Sequence, residues 1–222
     1  TRFNNIELGV NADTGGQTAY VIDLVKHLSE NHGVEKIEIL TRLIQDDNTS
    51  QDYSRCEEIY SAKTKITRLE FGPKGYLTKE SLWPYLDELA EQIIQLIQNK
   101  TRPPDIIHAH YADAGYVGTR VSQKTGIPLI FTAHSLGKQK QDNLFSCGLS
   151  PEEINKKYKL NKRIQAEKST LNHAKMIIAS SQHEIKEQYF DYPTFFRKNA
   201  REIAPGIDTQ QFYSPTPSDN YS

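Results

Sequence analysis

Short apolar runs rich in β-branched residues alternate along this chain with longer amphipathic stretches, and this alternation limits the folds open to it. Such a pattern is typical of βαβ units, in which a helix connects one parallel strand to the next. The runs lack strict apolar–polar alternation, which indicates strands covered on both faces. We therefore predict an α/β fold, a parallel sheet with helices on both faces. The predicted strands are 36–44, 65–71, 105–111, 128–134, 176–180 and a short run at 202–204.

The stretches between these strands have helical spacing. After Gly16, apolar residues recur every three or four positions, and a longer apolar stripe runs through 82–97. A third stretch, 152–171, is polar and rich in lysine, as is typical of a solvated helix face. The polar, turn-rich segment 45–60 predicts a surface excursion, and the Pro- and Ser-rich residues 213–222 predict a linker or tail.

Composition excludes several classes of protein. Lys and Arg number 27 against 28 Asp and Glu, a formal net charge of -1, whereas a dedicated nucleic-acid binder carries a basic excess. No apolar run approaches the roughly 20 residues that a membrane helix needs. Cys56 and Cys147 are too few for a disulfide framework or a cysteine zinc site. We expect a cytoplasmic globular protein that binds neither nucleic acid nor membrane.

A pair of glycines, Gly15 and Gly16, stands directly before the first predicted helix. Glycines let the backbone approach a ligand, and a helix N-terminus offers free N–H groups to a phosphate or a sugar hydroxyl. The amide of Gln17 can both donate and accept. An ordinary glycine turn explains the same residues equally well, and the spacing matches neither GxGxxG nor a P-loop.

Polar and cationic side chains also follow several predicted strands. In open α/β sheets, ligands bind beyond the carboxyl ends of the strands, and an Arg fork or a Lys point charge there suits a phosphate. The combination predicts a small, anionic, hydroxyl-rich ligand. The residues concerned are Lys74, Tyr111, His134, Lys140, Lys162 and Arg163.

Two histidines, His108 and His110, share one face of a predicted strand. A metal would need a third ligand at a suitable spacing, which the sequence does not offer, so hydrogen-bonded histidines of the core or cleft edge are favoured. His134 follows the next strand, where it can donate to a sugar hydroxyl or instead satisfy a loop carbonyl. We find no DxD motif and expect neither a metal nor a cofactor.

Several segments, in order along nearly the whole chain, resemble sucrose-phosphate synthases. Sucrose synthases share the DTGGQ element but typically have HALE where this chain has HSLG, and mannosylfructose-phosphate synthases also carry HSLG. The matching segments are ELGVNADTGGQ (7–17), FGPKGYLTKESLWPYLDEL (71–89), HAHYADAG (108–115), TAHSLGKQK (132–140), NKRIQAEKSTLNHA (161–174), SSQHEI (180–185) and PGIDTQQF (205–212).

This resemblance implies a GT-B glycosyltransferase, built from two Rossmann-like domains that face each other across a cleft. Residues 1–212 would be the acceptor-binding domain without the family's usual first strand, and 213–222 a linker, with the nucleotide-sugar-binding C-terminal half absent. The implied reaction joins UDP-glucose to fructose 6-phosphate, giving sucrose 6-phosphate and UDP with retention of configuration. UDP-glucose would be held through the missing half, so this chain alone is expected to be inactive.

The resemblance also assigns roles to residues. Fructose 6-phosphate would be held by Gly15, Gln17, Lys74, Tyr111, Lys140 and Arg163, with Lys162 nearby. Gly16 and His134 would lie close to the transferred glucose, with His134 as the catalytic residue. Two departures stand out: Lys162-Arg163 replaces the usual Arg-Arg, and Ala133 replaces the glycine of TGH. The alternatives are a mannosylfructose-phosphate synthase, a sucrose synthase or a non-catalytic sugar-phosphate-binding module.

Overall fold

The computed structural model describes residues 2–3 and 15–207. In the described residues, seven strands and seven α-helices follow one another, with short 3₁₀ turns between them. The strands are β1 (Ile37–Arg42), β2 (Glu57–Ser61), β3 (Thr64–Leu69), β4 (Ile107–His110), β5 (Leu129–Thr132), β6 (Met176–Ala179) and β7 (Ala200–Glu202). The helices are α1 (Gly16–Glu30), α2 (Leu86–Gln98), α3 (Ala112–Thr125), α4 (Gly137–Ser146), α5 (Pro151–Tyr158), α6 (Leu160–His173) and α7 (Gln182–Glu187).

The strands form two sheets. One has the order β4-β5-β6-β7 and is parallel throughout. The other has the order β1-β3-β2, with β1 parallel and β2 antiparallel to β3. The predicted α/β class with a parallel sheet flanked by helices is confirmed. Because parallel strands end at the same edge, the segments after β4 and β5 lie side by side, as Ala109 paired with Phe131 shows.

Apolar side chains join the sheets to the helices. Phe131 and Ile177 of the parallel sheet are fully buried with Leu171 of α6. A second cluster packs α2 against α3 through Ile94 and Val121, among others. Helices thus cover the apolar strands, which explains why those strands read as continuous hydrophobic runs.

The polar segment 45–60 is only partly the excursion that its composition predicts. Its end enters β2, which pairs with β3 at the edge of the smaller sheet. Cross-strand ion pairs replace apolar contacts there: Arg68 lies 2.6 Å from Glu58, and Lys65 lies 2.5 Å from Glu57. Opposite charges facing each other stabilise a polar edge strand that carries no hydrophobic signature.

The predicted helix over 152–171 is two helices. Ser150 begins α5 with a capping box in which the Glu153 amide donates to the Ser150 hydroxyl. Lys159 then adopts a left-handed conformation, with φ of 52°, which ends α5 and precedes α6. After this break α6 begins, and its Arg163 reaches Ser135, just beyond the end of β5.

Parts of three predictions fall outside the described residues: the start of the glycine motif at Asp13-Thr14, any strand ahead of it, and the tail 213–222. Within residues 2–3 and 15–207, no helix is long and apolar enough to cross a membrane.

Candidate functional site

A pocket lies at the carboxyl ends of β4 and β5. Tyr111 follows β4 directly, Lys140 belongs to the helix after β5, and Arg163 enters from α6. The 3₁₀ turn Lys79–Ser81 closes another side. The residues that line the pocket are Lys79, Glu80, Trp83, Tyr111, Asp113, Lys140, Tyr158, Leu160 and Arg163.

Arg163 is held rigidly in this pocket. Its guanidinium carbon lies 4.6 Å from the centroid of the Tyr111 ring, close enough for a cation–π contact. One terminal nitrogen donates to both the carbonyl and the hydroxyl of Ser135, at 2.8 and 3.0 Å. Tyr111 has φ of 79°, a conformation that a non-glycine residue keeps only where its surroundings impose it. Both aromatic ring and cation are therefore preorganised.

The buried carboxylate of Glu167 fixes the other side of Arg163. It accepts from Arg163 Nε at 2.8 Å and from the backbone N–H of Gly137 at 2.9 Å. The hydroxyl of Tyr192 donates to the same carboxylate. Because Glu167 is fully buried, its negative charge requires a compensating cation and hydrogen bonds of this kind.

Three cations converge on the pocket. The pKa of Lys140 is lowered, first by burial and then by the positive charges of Lys79 and Arg163, with the Glu80 carboxylate acting in the opposite direction. The Lys140 ammonium also lies 4.3 Å from the centroid of the Tyr158 ring. Like charges held together in this way repel one another, and an anionic ligand relieves that repulsion.

Two of the predicted cations do not line this pocket. Lys74 is exposed in the loop after β3, which Arg42 fixes by donating to the carbonyls of Phe71 and Gly75. Lys162 is exposed on α6. Their roles in ligand binding stay predictions. Lys79, which is not among the predicted site residues, does line the pocket. It lies in the matching segment 71–89, five residues beyond Lys74.

A group of imidazoles lies beside the pocket, where β4 and β5 end. His110 Nδ1 is 3.0 Å from His134 Nε2, and the two rings are stacked with an interplanar angle of 29°. Tyr20 of α1 meets the His134 ring edge-on at 5.1 Å. The amide of Gln17 donates to the His110 carbonyl at 3.4 Å. Gly15 and Gly16 open the same helix, so the glycine turn, Gln17 and His134 share one region.

His108 continues the stack on the other side of His110. The ring centroids of these two residues are 4.0 Å apart, and His108 Nε2 lies 2.9 Å from the Thr132 hydroxyl. Burial, with the neighbouring imidazoles, lowers the pKa of His108 to about 4 and that of His110 to about 2. Burial also lowers the pKa of His134. Neutral rings joined by hydrogen bonds agree with the interpretation of His108 and His110 as cleft-edge histidines.

No metal site accompanies these rings in the part of the chain that the structure describes. There, no group of three or more His, Cys, Asp or Glu side chains is placed to hold a metal ion.

Residues 3–212 match the family model of the sucrose synthase first GT-B domain. The chain belongs to this family. The resemblance drawn from the sequence motifs is thereby confirmed, and so is the GT-B type of fold.

Relatives in this family include plant sucrose-phosphate synthases. A probable sucrose-phosphate synthase 2 of Oryza sativa subsp. japonica is 36% identical over 246 residues, covering 96% of this chain and 26% of the relative. The sucrose-phosphate synthase of Spinacia oleracea is 34% identical, covering 87% and 21%. The chain therefore spans about a quarter of the length of these relatives.

A solved sucrose-phosphate synthase from Thermosynechococcus elongatus has the same fold. It superposes with a TM-score of 0.70 at 25% identity, covering 90% of this chain and 45% of the other. This domain of the GT-B family thus corresponds to less than half of that structure.

Proposed function

We propose that this domain is the acceptor-binding half of a retaining glucosyltransferase that forms sucrose 6-phosphate from UDP-glucose and fructose 6-phosphate. The observation that carries the proposal is the convergence of Lys79, Lys140 and Arg163 in one pocket at the carboxyl ends of β4 and β5. The sugar-phosphate synthases among the relatives support the choice of acceptor.

The pocket and the imidazole group would contact different parts of the acceptor. The 6-phosphate would sit among the three cations, away from the reacting hydroxyl. Binding energy gained there orients the rest of the sugar, since contacts to a remote group can be used to position the reacting atoms. Arg163 needs little rearrangement for this, because Ser135 and Glu167 already fix its guanidinium.

The reacting end of the acceptor would lie toward His134. His134 and Ser135 are consecutive, so the imidazole group and the Arg163 side of the pocket meet at the end of β5. A neutral imidazole can hydrogen-bond a hydroxyl of the transferred glucose, and Gln17 with the glycine turn can bind the acceptor sugar. In this proposal UDP-glucose is bound largely outside this domain, no metal or cofactor is required, and the protein is cytoplasmic.

Calorimetric titration tests the acceptor. We expect saturable binding of fructose 6-phosphate, with fructose and inorganic phosphate each binding at least about tenfold more weakly, a difference of about 1.4 kcal/mol. Equal affinities for fructose and fructose 6-phosphate would contradict the anion pocket and favour the sucrose synthase alternative.

Assay of the chain combined with a nucleotide-sugar-binding GT-B domain tests the reaction. With fructose 6-phosphate as acceptor, we expect transfer from UDP-glucose. Transfer from GDP-mannose in its place would favour a mannosylfructose-phosphate synthase. Tight acceptor binding without transfer from either donor would favour the sugar-phosphate-binding module.

A further inference from the structure

We propose that His110 is a positioning residue for His134: the contact between their rings fixes the orientation of His134 and obliges the two imidazoles to adopt the same tautomer. The inference rests on the proposed function for the ligand that His134 meets, but the coupling between the rings is a property of the protein alone.

The geometry leaves one ring nitrogen of His134 for a ligand. Its Nε2 is occupied by His110 Nδ1 at 3.0 Å. Tyr20 meets the ring in a T-shaped contact at 5.1 Å, and the backbone of His134 has φ of 59°, a left-handed conformation that few non-glycine residues adopt and that His adopts more often than most. Among residues 2–3 and 15–207, Nδ1 of His134 has no hydrogen-bond partner, so it is the ring nitrogen that these residues leave for a ligand.

The number of N–H hydrogens on the two rings determines how the tautomers of His110 and His134 are coupled. Both imidazoles are neutral near pH 7, since burial lowers the pKa of each, and a neutral imidazole carries one N–H. A hydrogen bond between His110 Nδ1 and His134 Nε2 needs one hydrogen between them. If His110 Nδ1 donates, His134 must carry its own hydrogen on Nδ1. If His134 Nε2 donates, His110 must carry its hydrogen on Nε2.

Both rings are then either Nδ1-protonated or Nε2-protonated. A mixed pair would place two hydrogens, or none, in the 3.0 Å contact and lose the hydrogen bond. The tautomer of His110 thus decides whether Nδ1 of His134 offers a donor or an acceptor. A sugar hydroxyl can pair with either, but its own orientation would be set by the choice. His110 accordingly specifies the polarity of the hydrogen bond that His134 makes.

Nitrogen-15 NMR of the imidazole rings tests the coupling without any ligand. The protein carries seven histidines, and single substitutions would assign the signals of His110 and His134. We expect one dominant tautomer in each ring, and the same tautomer in both. Opposite tautomers in the two rings would overturn the proposal, whatever the protein binds.

Substitution of His110 separates positioning from simple packing. The amide of Asn lies near the place of Nδ1, whereas the amide of Gln lies near that of Nε2. We expect His110→Asn to keep the hydrogen bond to His134 Nε2 and hence the orientation of the His134 ring, and His110→Gln to lose that bond and give a mixture of His134 tautomers. His108→Gln is the matched control, because it alters the same stack but keeps a polar atom toward Thr132; His134 should keep its wild-type signals.

The functional readout uses the chain combined with a nucleotide-sugar-binding GT-B domain. We expect His110→Gln to lower kcat about tenfold or more while the KM for fructose 6-phosphate changes less than twofold, with His110→Asn restoring most of kcat. An unchanged His134 signal in a folded His110→Gln protein would overturn the proposal. Failure of fructose 6-phosphate to bind the wild type would instead overturn the proposed function and leave the tautomer result standing.

Discussion

At the scale of single residues, Lys74 and Lys79 differ in whether they can contribute to the anion pocket. Both lysines belong to the segment between β3 and α2. Lys74 is exposed in a loop fixed by Arg42, while Lys79 faces Lys140 and Arg163 across the pocket. If the phosphate of the acceptor binds among these cations, the two lysines must differ in their contribution to affinity.

We predict that Lys79→Met and Lys140→Met each weaken fructose 6-phosphate binding by roughly 1.5–3 kcal/mol, the range for hydrogen bonds to charged groups. Methionine retains most of the aliphatic stem, so the change removes mainly the ammonium. Lys74→Met tests the remaining predicted role of Lys74: a change of less than about 0.5 kcal/mol in the free energy of binding would confine the phosphate to the pocket. Calorimetry measures all three. A loss for Lys74→Met as large as that for Lys79→Met would place the phosphate elsewhere.

Glu167 has a structural role that a substitution can expose. Its carboxylate is fully buried and is paired with a guanidinium that is itself almost buried, with a side chain 6% exposed. We predict that Glu167→Gln lowers the free energy of unfolding by roughly 3–5 kcal/mol, because it leaves the buried charge of Arg163 without its counter-ion. Urea unfolding measures this. Glu187→Gln, at an exposed position on α7, should change it by under about 0.5 kcal/mol; equal effects would contradict the prediction.

At the scale of elements, helix α3 lies unusually close to its neighbours. A Cβ added at Gly118 would lie 2.9 Å from a methyl group of Leu129, and one added at Gly115 would lie 2.8 Å from the Phe131 ring. Glycine normally weakens a helix by about 1 kcal/mol relative to alanine. Here it permits a close helix–sheet approach, in which a larger residue would displace the side chains of Leu129 and Phe131.

We predict that Gly118→Ala destabilises the protein by roughly 1–3 kcal/mol, since the cost of overpacking exceeds the gain in helix propensity. Gly16→Ala, at the start of α1, is the matched control: among the residues that the structure describes, no atom lies within 4 Å of the added Cβ. There the free energy of unfolding should stay the same or rise by up to about 1 kcal/mol. Chemical denaturation compares the two, and a stabilised Gly118→Ala protein would show that α3 can move away from the sheet.

The sequence predicts some elements better than others, for physical reasons. Strands β5 and β6 are apolar because helices cover them, and their positions follow from composition. Strand β2 is polar and depends on cross-strand ion pairs with β3, which no local pattern reveals. The break at Lys159 is equally hidden, because neither glycine nor proline marks it.

In the candidate site, too, some residues are predicted by the local sequence and others depend on tertiary packing. Tyr111, Lys140 and Arg163 were predicted because they follow strands or stand on a basic helix, and the pocket contains all three. Lys79 lies in a 3₁₀ turn that tertiary packing brings to the sheet edge. Residues that reach a site through a turn rather than a strand end give no periodic signal, so Lys79 was missed.

At the scale of the whole molecule, the buried imidazoles couple stability to pH. His108 and His110 have pKa values of about 4 and about 2 in the folded protein, against about 6.5 when unfolded. Below pH 6.5 the unfolded chain therefore binds protons that the folded protein excludes. Since stability rises with pH wherever the unfolded state binds more protons, it must fall as the pH drops from 6.5.

We predict that the free energy of unfolding decreases on the order of 4 kcal/mol between pH 7 and pH 5, because each of the two histidines contributes about 1.4 kcal/mol per pH unit once the pH is below its unfolded pKa of about 6.5. Carboxylates with lowered pKa, such as Glu38 and Asp52, are ionised in both states over this window and contribute little. Urea titrations at each pH measure the slope. The double variant His108→Gln/His110→Asn should flatten it, whereas a wild-type protein equally stable at both pH values would show that water reaches the stacked rings.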